Sequence, residues 1–125
     1  MRTTDDTLVV AAARYGPGGT LPELALAAFD TAGGPVWWHE WDPGAIAAPL
    51  TGPLAATPDG GVFLAGADWD QGWGPPTGCW AARFDASGAN VWQQHFDGDR
   101  ALDVLLAPDG LLYVLTRWSI TPLVP

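Results

Sequence analysis

The chain has 125 residues, with 14 acidic and 5 basic side chains and a formal charge of −9; 48% of it is apolar and 15% charged. That balance is too apolar for a disordered chain, and the length fits one domain. The five basic residues are all arginines (Arg2, Arg14, Arg83, Arg100, Arg117), so this chain has no lysine for Schiff-base or P-loop chemistry, and neither nucleic acid nor an anionic membrane surface is expected as a partner.

In chain order, Met1–Asp6 places acids where a secretory signal wants bases, and the run Leu8–Ala13 is short for its apolar core. Leu8–Ala13 has the length of a strand. Glu23–Phe29 follows, then a turn at Asp30–Gly34 and a strand at Val36–Trp41. Ile46–Pro53 reads as linker. Pro53–Ala56 is a short strand ended by Pro58-Asp59-Gly60, and Val62–Ala67 comes next. After a long loop the pattern resumes: Cys79–Phe84, a turn at Asp85–Gly88, Val91–Phe96, Ala101–Leu106, a turn at Pro108-Asp109-Gly110, and Leu111–Trp118. Glycine supplies positive φ and aspartate supports its own turn, so these pairs punctuate strands. Sixteen glycines and twelve prolines leave no window for a long helix.

The chain repeats itself. Phe29-Asp30-Thr31-Ala32-Gly33-Gly34-Pro35-Val36-Trp37 matches Phe84-Asp85-Ala86-Ser87-Gly88-Ala89-Asn90-Val91-Trp92 at an offset of 55. Thr57–Leu64 matches Ala107–Val114 at an offset of 50, and Asp5–Ala11 matches Asp59–Ala65 at 54. Short strands, near-even spacing and one aromatic motif per unit describe propeller blades. The expected fold is therefore all-β: four-stranded antiparallel blades in a partial propeller, with a β-sandwich or flat β-solenoid as alternatives. The strands read b-c-d, a-b-c-d, a-b, which makes nine. The expected division is a partial blade over 5–42, a full blade over 53–97, a partial blade over 101–118 and a tail over 119–125.

Repeated residues point to scaffold, since a catalytic residue is needed once per site and a scaffold residue once per blade. Trp37 and Trp92 are expected to pack against the glycine-rich turn of the next blade, and Asp30, Asp85, Asp59 and Asp109 to hydrogen-bond their own turns. Truncating Trp92 to alanine should cost ~3–5 kcal/mol if the ring is buried. The run Asp59-Gly60-Gly61, apolar strand, Ala65-Gly66, loop, strand, then Phe84-Asp85-x-x-Gly88-x-x-x-Trp92 resembles bacterial β-propeller repeat proteins and the PQQ-like (quinoprotein-like) blade. That family's tryptophan-docking element has the form Asp-x-x-x-Gly-x-x-x-Trp, and Asp30…Trp37 departs from it by one residue. The resemblance implies a blade scaffold. The calcium–quinone site of the family's dehydrogenases would need a longer ring, and this chain has no vicinal cysteine pair.

Function is expected where the repeat breaks. The clear break is Asp68-Trp69-Asp70-Gln71-Gly72-Trp73-Gly74-Pro75-Pro76-Thr77-Gly78, whose candidate ligand-binding residues are Trp69, Trp73, Asp68 and Asp70. Exposed indoles stack on sugar rings or grip peptides. Asp68 and Asp70 supply too few spaced oxygens for a full calcium loop, so no cofactor or metal is expected and calcium is the one candidate. Catalytic sets are thin. Cys79 is the only cysteine, which rules out an internal disulfide; His39 and His95 are the only histidines, and no glycine-flanked serine elbow or paired carboxylate appears. The expected function is a non-enzymatic binding or scaffold module contacting protein or glycan through blade-edge loops, with copies able to complete a propeller ring. The alternatives are a fragment of a larger propeller enzyme, quinoprotein-like or hydrolase, and a purely structural repeat. Without a signal or spanning segment the chain reads as cytoplasmic, or extracytoplasmic as a fragment.

Overall fold

The computed structural model describes residues 6–14, 23–41, 48–69, 78–96, 100–117 and 119–125. These residues contain ten strands and no helix, and so no helix long and apolar enough to cross a membrane. The strands are β1 (Leu8–Arg14), β2 (Glu23–Phe29), β3 (Pro35–Trp41), β4 (Ala48–Ala56), β5 (Val62–Trp69), β6 (Gly78–Phe84), β7 (Asn90–Phe96), β8 (Ala101–Leu106), β9 (Leu112–Thr116) and β10 (Ile120–Leu123). They form three consecutive antiparallel sheets, ordered β1-β2-β3, β4-β5-β6-β7 and β10-β9-β8. Each is an up-and-down meander, and the architecture is all-β and open at both ends of the stack.

The middle sheet is covered on both faces, which explains its composition. Val62, Leu64, Trp80, Ala82 and Phe84 pack with Val9, Leu24, Leu26 and Ala28 of the first sheet. Phe63, Ala65 and Ala81, on the other face, pack with Ala101, Val104, Leu112, Val114 and Leu123 of the third. A strand buried on both faces needs a continuous apolar run rather than alternation, as Val62–Ala67 provides. We call the face turned toward the next sheet the front and the opposite face the back. Trp80 is the largest wholly buried side chain. A ring of that size buries ~150–250 Å², about 4–6 kcal/mol as an upper estimate.

The structure adds to the nine expected strands. The segment 119–125, expected as a tail, contains β10, whose Ile120–Leu123 pairs antiparallel with Leu115–Leu112 of β9. Pro122 argues against a central strand, but β10 lies at the sheet edge, where a missing donor is tolerated. The strand expected over Leu111–Trp118 is correspondingly shorter. It ends at Thr116, whose amide donates to the Ser119 carbonyl at 2.8 Å and closes the β9–β10 hairpin. β4 begins within the expected linker. Its register shifts between Thr51 and Leu54, so Gly52-Pro53 forms an irregularity inside one strand instead of preceding it.

Candidate functional site

Among the described residues, four tight turns share one form. In each, the first residue's amide donates to the carbonyl four residues on, and the glycine amide donates back to the first residue's carbonyl: Asp30/Gly33/Gly34, Thr57/Gly60/Gly61, Asp85/Gly88/Ala89 and Ala107/Gly110/Leu111. The four glycines adopt positive φ, between +83° and +88°. The aspartates complete the turns in two ways. Asp30 Oδ1 accepts from the Ala32 and Gly34 amides, and Asp85 Oδ1 from the Ser87 and Ala89 amides and the Ser87 hydroxyl. Asp59 and Asp109 sit later in their turns and accept from the Gly61 and Leu111 amides. Asp59 also accepts from the Thr57 hydroxyl and pairs with Arg83 Nη2 at 2.9 Å, while Asp109 accepts from the Tyr113 hydroxyl at 2.8 Å.

These contacts favour the carboxylates. Asp59 is held below the ordinary carboxylate range chiefly by Thr57, then by Gly61 and Arg83, against a desolvation effect that raises it. Asp85 is lowered chiefly by Ser87, and Asp109 by the Leu111 amide and then Tyr113. The Tyr113 phenol is raised by its bond to Asp109.

The boundary between the first two sheets is a polar clasp on an apolar seam. Trp37, His39 and Trp41 occupy alternate positions of β3 and so share its front face. Trp37 Nε1 donates to the Ala86 carbonyl at 3.0 Å, His39 Nε2 lies 3.0 Å from the Ser87 carbonyl, and Trp41 Nε1 donates to Gln93 Oε1 at 3.1 Å. Trp41 also meets Trp80 and Phe84 edge-on, with centroids 5.1 and 5.0 Å apart. Sequence reasoning singled out Trp37 and missed Trp41, Trp80 and Gln93. The signal was the four-residue spacing of Trp37 and Trp41, which puts both rings on one face of a strand.

The equivalent seam between the second and third sheets is built differently. Trp92 stands where Trp37 does, half-buried, with its ring 6.0 Å from Phe63. Its Nε1 is buried with no hydrogen-bond partner among the described residues. Register explains this. Leu123 pairs with Leu112 as Phe84 pairs with Val62, so the position matching Ala86 is Pro125, beyond the last strand.

Strand direction sorts the connections. Because every sheet is a meander, the four tight turns lie at one end of the strands. The connections 15–22, 42–47, 70–77, 97–99 and 117–119 leave from the other. Of the candidate ligand-binding residues, Asp68 and Trp69 end β5 at this second end; Asp70 and Trp73 fall outside the described residues. A groove of about 330 Å³ lies at the same end between the second and third sheets, lined by Gly52, Pro53, Gly66, Ala67, Arg100, Ala101 and Leu102.

Among the described residues no catalytic grouping assembles. Cys79 pairs in register with Phe96 and His95 with Trp80, so thiol and imidazole belong to opposite faces of the sheet. His39 lies in the clasp of the first boundary. No group of three or more His, Cys, Asp or Glu able to hold a metal ion occurs among the described residues. No protein-family model matches the chain, and no curated protein is significantly similar to it.

Proposed function

We propose that the chain is a non-enzymatic binding or scaffold module built of propeller-type blades, which meets a protein or glycan partner at the end of the stack away from the tight turns. The observation that carries this reading is the sorting of the two ends. One end is uniform: its repeated Asp and Gly residues are engaged in their own turns, and the Ala86 carbonyl of one turn takes the Trp37 indole across the first sheet boundary. The other end has connections of unequal length, holds the groove-lining cation Arg100, and takes the end of β5 at Trp69, a residue of the segment that breaks the repeat and whose sequence also carries Trp73. Variable loops on a rigid frame are the usual site of recognition. The blade pattern resembles the PQQ-like repeat in its scaffold, and the reading needs none of that family's chemistry.

The test is a glycan and peptide panel probed with the wild-type chain and with a Trp69→Ala/Trp73→Ala double variant. Binding by the wild type and its loss in the double variant, with circular dichroism and thermal unfolding unchanged, is the expected result. A blank panel, or a ligand the double variant keeps, would overturn the reading.

A further inference from the structure

We propose that two copies of this chain close head to tail into a six-sheet ring, the front of the third sheet of each copy covering the back of the first sheet of the other. The inference uses the side faces of the stack and is independent of the loop-end reading above.

The back of the first sheet carries Leu8, Val10, Ala25, Ala27 and Phe29, which match Val62, Leu64, Trp80, Ala82 and Phe84 of the middle sheet. In the middle sheet these five are at most 1% exposed, because the first sheet covers them. In the first sheet the row is open: Leu8 is 46% exposed, Val10 43%, and Trp38, paired beside Ala27, 58%. The front of the third sheet shows the converse. Tyr113, Leu115 and Ile120 match Phe63, Ala65 and Ala81, which are buried against the third sheet itself. Yet Leu115 is 41% exposed, Ile120 65% and Leu105, paired with Tyr113, 61%. The two open faces are therefore the two halves of a boundary the molecule already builds twice. The two faces differ in size: the front of the third sheet offers the exposed Leu105, Leu115 and Ile120, and the back of the first sheet includes the small Ala25 and Ala27 beside Leu8 and Val10.

Direction and number fix the assembly. Front meets back at both internal boundaries, so the external contact is heterologous, and a heterologous contact either closes or grows into a filament. Closed propellers hold roughly 4–8 sheets. One copy supplies three, which is too few, and three copies supply nine, which is too many. Two copies supply six, related by a two-fold axis along the ring. Each copy carries a charge of −9, so the apolar contact works against net repulsion and should tighten as salt rises.

Light scattering on a sizing column, with sedimentation velocity from micromolar to about 100 micromolar, reads the mass directly. The expected species has twice the 13.1 kDa chain mass and gains population with salt. Val10→Glu and Leu105→Arg each break both contacts and should give folded monomers by circular dichroism. Both positions are exposed, so neither change burdens the core; Leu8→Glu is the reserve for Val10→Glu and Leu115→Arg for Leu105→Arg should either fail to fold. Mixing the two variants leaves one wild-type contact intact and sets the introduced carboxylate against the introduced guanidinium at the other, so the dimer should return. A wild-type monomer throughout the concentration range, a larger or polydisperse species, or a dimer that mixing does not restore would each overturn the proposal.

Discussion

Trp37 and Gly88 meet across the first sheet boundary with no room between them for a methyl group. A Cβ on Gly88 would lie 2.7 Å from Trp37 Cε3 and 2.5 Å from His39 Cδ2. Gly88 also has φ of +83°, as Gly33 has +84°, but nothing lies within 4 Å of a Cβ placed on Gly33. The two glycines therefore separate backbone strain from close approach.

Gly33→Ala should cost only the left-handed backbone, about 1–2 kcal/mol. Gly88→Ala adds overpacking against the two rings, a further 1–3 kcal/mol or so. Denaturant unfolding of the two variants measures the difference. Equal losses would mean that the indole does not press on the turn.

The two matched tryptophans should respond differently to loss of the indole nitrogen. Trp37→Phe breaks a bond to Ala86 and leaves that carbonyl to find water, so a loss of ~1 kcal/mol is expected. Trp92→Phe removes a buried N–H that has no acceptor among the described residues, and should be neutral or stabilising. Because Trp92 is half-buried, Trp92→Ala should fall toward the lower end of the ~3–5 kcal/mol expected for a buried ring. A Trp92→Phe variant weaker than Trp37→Phe would show that Trp92 has found an acceptor in solution.

Acid should loosen the turns. Asp59, Asp85 and Asp109 titrate below the ordinary carboxylate value in the folded chain. Such a group contributes stability above its unfolded value, roughly 3.9, and loses it as pH falls through the folded one. Asp85→Asn should therefore be less stable than the wild type at pH 7, and the gap should close below about pH 4. Thermal unfolding of both proteins across pH 2–7 gives the comparison, and differencing the two cancels most of the general relief of negative charge on acidification. A gap that stays constant would detach the turn from its carboxylate. Tyr113 acts at the other extreme: its raised phenol favours the folded state below the ordinary tyrosine value and ceases to do so as pH climbs past the folded one.

Amide exchange should be slowest in the middle sheet. β5 and β6 have a strand on each side and a sheet over each face, whereas β1 and β10 are edges of sheets covered on one face. Mass-spectrometric exchange should protect 62–67 and 79–84 most strongly and 120–123 least. Uniform protection across the ten strands would mean that the three sheets open together.

Most of this architecture was legible because its turns are spelled in residues with few other uses. Asp30, Asp85 and their glycines marked two turns, and the apolar runs at Val62–Ala67 and Cys79–Phe84 marked strands buried on both faces. β10 was not legible, since Thr121-Pro122 reads as a strand breaker and only its place at a sheet edge makes Pro122 harmless. The start of β4 was hidden by Gly52-Pro53 for a similar reason. The clasp was half legible. Trp37 announced itself by repetition, but Gln93 has no counterpart in kind, since the matching residue of the first sheet is Trp38. A contact made once per molecule leaves no periodic trace. The ligand-binding candidates were legible only as a break in the pattern, and Asp70 and Trp73 lie outside the described residues.

The clasp also says how such a molecule can change in length. Each polar bond of the clasp runs from a residue of one sheet to a residue about fifty positions later, in the next. Duplicating or deleting one whole unit therefore recreates the same neighbour relations at the new junction. The natural increment of growth for this chain is one complete sheet.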